Sequence, residues 1–221
     1  MVRWREMLQR SVRSPLAIAT LVLGVVFGAA APRSAVAQDQ GATAFIQNLG
    51  TRGLQALSAP EPQRVAIFRQ IFQTDFDLPE ISRFVLGQYA RGLTPQQQQE
   101  FMGLFREYIA QAYSARLAPY AGAPFRVTGA RPYGGETVVT SQVIRPGGQP
   151  TEIDWHVIDS GGRYLVIDGI VGGVSMKVTL RDEFAAIIQR NGGHPEALLT
   201  VLRQHLGQRR GDLAPQKFSR G

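Results

Sequence analysis

Three titratable residues on one predicted strand are the best-placed candidates for acid–base chemistry in this chain. Glu152, Asp154 and His156 occupy every second position, and alternate residues of a strand point to the same side. A carboxylate that orients an imidazole is the usual arrangement for a general base. The residues between them, Trp155 among them, are apolar and gain more from burial. We therefore expect the polar row to face solvent rather than to form a catalytic dyad.

Other catalytic and metal-binding patterns are missing from the sequence. There is no cysteine, no glycine-rich phosphate loop and no HExxH spacing, and the three histidines, His156, His194 and His205, belong to three different predicted elements. Metal sites usually bring such ligands together at short, regular spacings. The sequence therefore predicts no catalytic residues, no metal site and no cofactor.

Arginines near predicted helix ends are the candidates for binding an anion. Arg83, Arg91, Arg116 and Arg181 stand at such positions, and a guanidinium can hold a phosphate or carboxylate through two parallel hydrogen bonds. Plain surface charge and simple ion pairs are the alternatives for each of them. Asp168 lies in an otherwise apolar strand, so it is either the buried partner of such an arginine or a residue at the sheet edge.

Apolar residues at three- and four-residue steps predict six helices around this strand region. Four precede it, over about 42–57, 60–74, 78–90 and 94–117, and two follow it, from Leu180 to about 190 and from Pro195 through Leu206. The clearest start is at Thr94, because Pro95 fits the first helical position and Gln97 completes a capping box.

Between residues 125 and 179 the apolar period changes to two, and four glycine doublets divide the region. The segments 125–133, 136–145, 151–159 and 163–171 predict an antiparallel meander. We interpret the last doublet, Gly172-Gly173, as a bulge that bends one long strand, which continues through Met176 and Val178 before the helix begins. Helices that cover one face of an antiparallel sheet make an α+β domain.

The first 37 residues have the composition of a secretory signal. Arginines precede an uncharged apolar run over 16–31, and Ala35-Val36-Ala37 is a typical cleavage site. The alternative, an uncleaved anchor, is disfavoured because the run is shorter than a membrane-spanning helix of about 20 residues. We expect cleavage after Ala37, one domain over 38–206, and a disordered basic tail over 207–221.

The positive charge of the chain is confined to its two ends. The net charge of +7 includes five arginines and one glutamate in 1–37, and the tail over 207–221 carries four basic residues and one acidic residue. The predicted domain is then nearly neutral. A nucleic-acid-binding domain needs a basic face, so we predict no nucleic-acid partner.

Aromatic residues are spread over both the predicted helices and the predicted sheet, among them Phe84, Phe101, Phe105, Trp155 and Phe184. They either fill an ordinary core or line a cavity between the two layers. Apolar stripes usually indicate packing, so composition by itself favours a filled core.

Two segments resemble the signature regions of a known family. Residues 81–105 and 164–184, which include Phe84-Val85-Leu86-Gly87, Asp168 and Gly173-Val174-Ser175, are similar to the MlaC (toluene-tolerance) family of auxiliary transport proteins. The chain departs from the family at Ala90 and Tyr164, where tryptophan is common, and at Gly172 and Thr179-Leu180. A hopanoid-associated relative shares the same pattern.

The resemblance implies an NTF2-like curved sheet and a periplasmic carrier that holds phospholipid acyl chains between sheet and helices. It implies two partners, an inner-membrane ABC transporter with an MCE protein and an outer-membrane lipoprotein–porin complex. On this basis we predict a lipid cavity lined by Val85, Tyr89, Phe105, Tyr108, Val139, Trp155, Val166 and Val174, with Arg83 and Arg181 at the headgroup.

Three alternatives remain open on the sequence. The first is an NTF2-like enzyme that acts on a small hydrophobic substrate with Asp154 and His156 as acid and base. The second is a carrier of a hopanoid-related lipid. The third is a periplasmic scaffold whose core is completely filled.

Overall fold

Six helices pack with a five-stranded antiparallel sheet in the computed structural model, which describes residues 33–145 and 147–212, with side chains for 40–145 and 147–207. The helices are α1 (Arg33–Ala56), α2 (Glu61–Asp75), α3 (Leu78–Leu86), α4 (Pro95–Arg116), α5 (Met176–Arg190) and α6 (Glu196–Asp212). The strands are β1 (Phe125–Tyr133), β2 (Glu136–Ile144), β3 (Pro150–Asp159), β4 (Tyr164–Val171) and β5 (Val174–Ser175). The predicted α+β class is confirmed.

The strands form a simple meander in the order β1-β2-β3-β4-β5, and every neighbouring pair is antiparallel. Two register shifts interrupt the pairing, one between Val127 and Gly129 in β1 and one after His156 in β3. Extra residues of this kind increase the local twist of a sheet. The sheet is therefore more strongly twisted at these two points.

The fourth glycine doublet is a reversing turn, so the interpretation as a bulge in one long strand is wrong. Gly172 and Gly173 have φ angles of 57° and 80°, and Val171 pairs directly with Val174 across them. Positive φ at both central residues is the geometry of a two-residue hairpin turn. The second strand ends after Ser175, whose hydroxyl accepts a hydrogen bond from the Val178 amide at 3.2 Å and caps α5.

The predicted start of α4 is confirmed in detail. The Gln97 amide donates to the Thr94 hydroxyl at 3.2 Å, and the Gln97 side chain accepts from the Thr94 amide at 2.8 Å. Together with Pro95 in the first turn, this box satisfies two of the amides that every helix start leaves unpaired.

Both ends of the predicted domain lie near the limits of the described residues. Helix α1 begins at Arg33, so cleavage after Ala37 would fall within its first turns, whereas residues 1–32 of the predicted signal lie outside the described part. Helix α6 continues past Leu206 to Asp212, and residues 213–221 lie outside it. Among the described residues, no helix has the length and apolar character needed to cross a bilayer.

Buried apolar residues form two clusters. The larger one contains residues of all five helices from α2 through α6, including Phe101, Phe105 and Phe184. The smaller one lies between α1 and the sheet and includes Ile46 and Val139. The smaller cluster packs helices against the sheet, whereas the buried residues of the larger one join the helices to one another.

Two glycines let α1 lie close to the strands. A Cβ atom on Gly50 would lie 2.3 Å from Cε1 of Phe125, and one on Gly41 would overlap the Tyr164 ring. Distances under 3.0 Å are not tolerated between carbon atoms. Gly50 weakens the helix by propensity, and this contact explains why glycine stands there.

Candidate functional site

Two apolar cavities lie side by side between the helices and the sheet. The first has a volume of about 100 Å³ and is enclosed by α2, α3, α4, the start of α5 and the middle of β4. The second has a volume of about 160 Å³ and is enclosed by α1, α2 and the ends of β1 to β4. Almost all of the surface that faces either cavity is apolar.

Three aromatic side chains separate the two cavities. Phe72, Phe76 and Trp155 line both of them, and the centroids of the two phenylalanine rings are 4.7 Å apart. The Trp155 indole donates from Nε1 to the Ser141 hydroxyl at 2.8 Å. Because the polar edge of the indole is satisfied by the sheet, the rest of the ring is free to face apolar space.

The cavities occur where glycine faces the interior. In the first cavity, a Cβ on Gly169 would lie 3.7 Å from Cγ of Met176 and 3.9 Å from the Trp155 ring. In the second, a Cβ on Gly53 would have no atom within 4 Å. A side chain on Gly53 would therefore enter open space, whereas a Cβ on Gly169 would be in ordinary contact with Met176 and Trp155.

Besides the Trp155 indole, three side chains in the wall of the first cavity carry polar atoms, namely Tyr113, Asp168 and Lys177. Burial raises the pKa of Tyr113, with the carboxylate of Glu183 adding to the effect and Arg116 opposing it. The phenol therefore stays neutral at any physiological pH. Its ring packs on Phe72 with centroids 5.6 Å apart.

Asp168 fixes the junction between the hairpin and α5. Its carboxylate accepts hydrogen bonds from the Ser175 hydroxyl at 2.5 Å, from the Gly169 amide at 2.8 Å and from the Lys177 amide at 3.1 Å. The residue is buried, as one of the two predictions requires. Its hydrogen-bond partners are the hairpin and the start of α5. The predicted burial is correct, and the predicted arginine partner is wrong.

Two of the eight predicted lining residues face the cavities. Phe105 lines the first cavity, and Trp155 lines both. Val85, Val139 and Val166 are buried in the two apolar clusters but do not line either cavity. They support the cavity walls from behind.

The other three predicted lining residues lie farther out. Tyr89 is half-buried, and its hydroxyl accepts from Gln189 at 2.6 Å. Tyr108 is also half-buried and packs on Phe184, with centroids 5.6 Å apart. Val174 is 59% exposed. It lines neither cavity, because the hairpin turns it outward.

The two predicted headgroup arginines differ in their surroundings. The Arg83 side chain donates from Nε to the Pro79 carbonyl at 3.2 Å, within its own helix. The Arg181 guanidinium lies over the Phe84 ring, with Cζ 5.3 Å from the centroid. Arg181 therefore joins two helices, α3 and α5, close to the first cavity.

The acid–base candidates do not form a dyad. Nδ1 of His156 lies 2.6 Å from a carboxylate oxygen of Glu136, and Asp154 accepts from the Thr140 hydroxyl at 2.6 Å. Neither residue lines either cavity. Both side chains are half-buried, so the face of β3 that was predicted to lie in solvent is partly covered. Among the described residues, no three histidine or acidic side chains are grouped as metal ligands.

Sequence reasoning missed most of the cavity wall. Phe72 and Phe76 stand four residues apart at the end of α2, and Ile109 and Tyr113 stand four apart on α4. Their spacing predicts burial, which is correct. The sequence feature that could have indicated the cavity is the pair Phe72 and Phe76, because its second ring follows the last residue of α2. The apolar stripe of a packed helix normally ends with the helix.

Comparison with known proteins places the chain in a family. The family described as "MlaC protein" matches residues 43–204. The toluene tolerance protein ttg2D of Pseudomonas putida is 30% identical over 118 residues, which cover 52% of this chain and 55% of that protein. The chain thus spans about half the length of this curated relative.

A solved structure has the same fold. The phospholipid-binding protein from Ralstonia solanacearum, determined in complex with a phospholipid, matches with a TM-score of 0.62 and 20% identity. The match covers 76% of this chain and 97% of that one. The matched family region spans nearly all of the described helices and strands, and the chain belongs to the MlaC family.

Proposed function

We propose that the protein is a periplasmic phospholipid carrier that holds acyl chains in the two apolar cavities. In this role it passes lipid between an inner-membrane ABC transporter with an MCE protein and an outer-membrane lipoprotein–porin complex. The observation that carries the proposal is the pair of adjoining cavities with almost wholly apolar walls in a chain of the MlaC family. The bound phospholipid of the Ralstonia solanacearum structure supports it.

Burial of acyl chains explains why such a carrier needs docking partners. Each buried CH₂ group contributes about 0.8 kcal/mol relative to water, so two acyl chains of common length contribute more than about 20 kcal/mol. Release into water is therefore negligibly slow. Transfer to another apolar tunnel nearly cancels this term, and the lipid must pass directly from one protein to the next.

Loading requires the cavity walls to move. An engineered cavity of about 150 Å³ accepts one benzene molecule, and the two cavities here have volumes of about 100 and 160 Å³. Whole acyl chains need more space than this. Phe76, Trp155 and Met176 are half-buried wall residues, so their side chains can separate and join the two cavities without disrupting the fully buried clusters.

We therefore propose that four residues contact acyl chains. Phe105 and Trp155 belong to the eight lining residues predicted from the sequence, and Phe72 and Phe76 are added from the structure. Val85, Val139 and Val166 are proposed to support them, whereas Arg181 is retained as a headgroup residue. The walls suit a glycerophospholipid or a hopanoid-related lipid, because both present extended apolar surface.

Native mass spectrometry of the purified protein tests the proposal. We expect a mass shift that matches one or more lipids, and extraction followed by lipid analysis should identify phospholipids. A hopanoid in the extract would redirect the cargo assignment while keeping the carrier function. Protein that is uniformly free of lipid after mild purification would contradict the proposal.

A matched pair of substitutions ties the lipid to the second cavity. Gly53→Phe places a ring where a Cβ has open space in the cavity wall, and Gly103→Phe places the same ring on an exposed position of α4. Both change a helical glycine, so their effects on helix propensity are similar. We expect Gly53→Phe to lower the bound lipid and Gly103→Phe to leave it unchanged.

The enzyme alternative makes a separate prediction. Replacing Asp154 with Asn and His156 with Gln should leave lipid content unchanged, because neither residue lines a cavity. An enzyme that depends on these groups would lose turnover of a small hydrophobic substrate. The scaffold alternative requires a filled interior, and the two cavities argue against it.

A further inference from the structure

Two cations from one helix share a single aromatic ring beside the first cavity. Nζ of Lys177 lies 4.9 Å from the centroid of Phe84, and Cζ of Arg181 lies 5.3 Å from the same centroid. Lys177 and Arg181 are one turn apart on α5, and Phe84 is on α3. Cation–ring contacts are favourable, but the two like charges also repel each other across the ring.

Carboxylates do not balance this pair. None of the five ion pairs between described residues includes Lys177 or Arg181. Asp168 binds the Lys177 backbone amide, and its other hydrogen bonds go to Ser175 and Gly169.

Gly87 lets the guanidinium of Arg181 approach the end of α3 closely. Gly87 has a φ of 51°, and a Cβ there would lie 3.3 Å from Nε and Nη2 of Arg181. The guanidinium therefore rests directly against the main chain at the end of α3. This contact leaves the outer edge of the guanidinium open to solvent, where Arg181 is exposed.

The cation pair is connected to the cavity through Lys177. Of the described residues that line the two apolar cavities, Lys177 is the one basic residue. If the apolar part of an amphiphile occupies the first cavity, its polar end can therefore lie beside one ammonium group, of Lys177, and one guanidinium group, of Arg181. A phosphate is the group that such a pair recognises best.

We propose that Lys177, Arg181 and Phe84 form a phosphate-binding site that makes this protein prefer phospholipids with a net negative headgroup over zwitterionic ones. The proposal rests on the carrier function and names its cargo class. A phosphodiester supplies the anionic partner that Lys177 and Arg181 lack among the five ion pairs, whereas the ammonium group of a zwitterionic headgroup brings a third cation next to them.

Lipid competition tests this preference. Purified protein is incubated with vesicles that contain equal amounts of phosphatidylglycerol and phosphatidylethanolamine with identical acyl chains, and the bound lipid is extracted and quantified by mass spectrometry. We expect enrichment of phosphatidylglycerol by about three- to fivefold, the range that exposed ion pairs support. The enrichment should fall as salt is raised, because exposed charges are screened.

Charge variants assign the enrichment to this site. The double variant Lys177→Gln, Arg181→Gln should bind lipid in the ratio present in the vesicles. Arg190→Gln, an exposed position at the other end of α5, is the matched control and should keep the wild-type ratio. Arg181→Lys keeps the charge and should retain most of the preference, which guards against a folding defect in the double variant.

Each outcome bears on the proposal. Equal binding of the two lipids by the wild type, or an unchanged preference in the double variant, overturns the headgroup site and leaves the carrier function standing. Absence of lipid from every protein overturns both. Adding inorganic phosphate at millimolar concentration should not alter the ratio. Loss of the preference under that condition would show a site for free phosphate and overturn the headgroup assignment.

Discussion

The two halves of α4 carry similar apolar spacing but pack in different ways. In the first half, Phe101 and Phe105 stack with centroids 5.5 Å apart, and Phe184 of α5 meets both rings edge-on at 6.0 and 6.1 Å. All three are almost fully buried. In the second half, Ile109 and Tyr113 face the first cavity, which Phe105 at the middle of the helix also borders.

The difference lies in what stands across from the helix. Phe184 of α5 covers the first half and also Tyr108 in the second, whereas Ile109 and Tyr113 share the first cavity with Gly169 of β4, which has no side chain. Periodicity fixes which side of a helix is buried. Whether the buried side is filled by protein depends on the size of the residues opposite.

Removing the ring that fills the first half should have the largest effect. Phe184→Ala is expected to lower the free energy of unfolding by about 3–5 kcal/mol, because a fully buried aromatic side chain leaves a cavity in a rigid surround. Urea denaturation measures the change. Lipid bound per folded molecule should stay the same, and a loss below about 1 kcal/mol would show that the two halves do not differ in packing.

Removing a ring between the two cavities should cost less. Phe76→Ala is expected to lower the free energy of unfolding by about 1–2 kcal/mol, within the ordinary range for single substitutions, since Phe76 is half-buried and already borders open space. The same variant joins the two cavities. Native mass spectrometry should then show equal or greater lipid content, and a clear loss of lipid would contradict the role of this ring as a movable wall.

Two glycines of α1 provide a matched comparison on one helix. Gly50→Ala is expected to destabilise the protein by about 1–2 kcal/mol, because the new methyl overlaps the Phe125 ring. Gly53→Ala meets no atom within 4 Å and should stabilise by up to about 1 kcal/mol through helix propensity. Thermal and urea unfolding of the two variants decide this. Equal effects would mean that α1 does not lie against β1 as described.

The smallest effect at neutral pH is expected for the buried phenol. Burial raises the pKa of Tyr113 in the folded protein above the ordinary value of about 10. The folded state therefore binds more protons than the unfolded state above about pH 10, and stability is constant below that pH and falls as pH rises beyond it.

Tyr113→Phe removes this contribution, so its stability should fall less steeply above about pH 10, by up to about 1.4 kcal/mol per pH unit. Tyr108, whose pKa is also raised by burial, is present in both proteins and cancels in the comparison. Urea unfolding at pH 8 to 11 measures the slopes. Parallel curves would indicate that the Tyr113 hydroxyl reaches solvent.

The sequence was sufficient for most of the elements, because the signals were local. The capping box at Thr94 and the first three glycine doublets are complete within a few residues of chain. The start of α5 was missed because Val174, Met176 and Val178 alternate like a strand, although Ser175 was a usable cap. Local patterns conflict there, and the hairpin geometry of Gly172 and Gly173 decides the outcome.

The cavity walls could be predicted only in part, because they depend on pairs of residues far apart in sequence. Trp155 and Phe105 were among the residues predicted to line the cavity, but Phe76 meets Trp155 only once the end of α2 is packed against β4. Gly53 and Gly169 are also part of the cavity walls. A glycine in the sequence does not indicate which residues will lie opposite it in the fold.

The central claim is that acyl chains lie beside Trp155, and the fluorescence of this residue tests it most directly. The chain has two tryptophans, and Trp4 lies in the predicted signal, so the protein cleaved after Ala37 keeps Trp155 as its sole indole. We predict that phospholipid with brominated acyl chains quenches its emission strongly, and that the same lipid without bromine does not. Unchanged emission while brominated lipid is demonstrably bound would place the chains elsewhere and contradict the account.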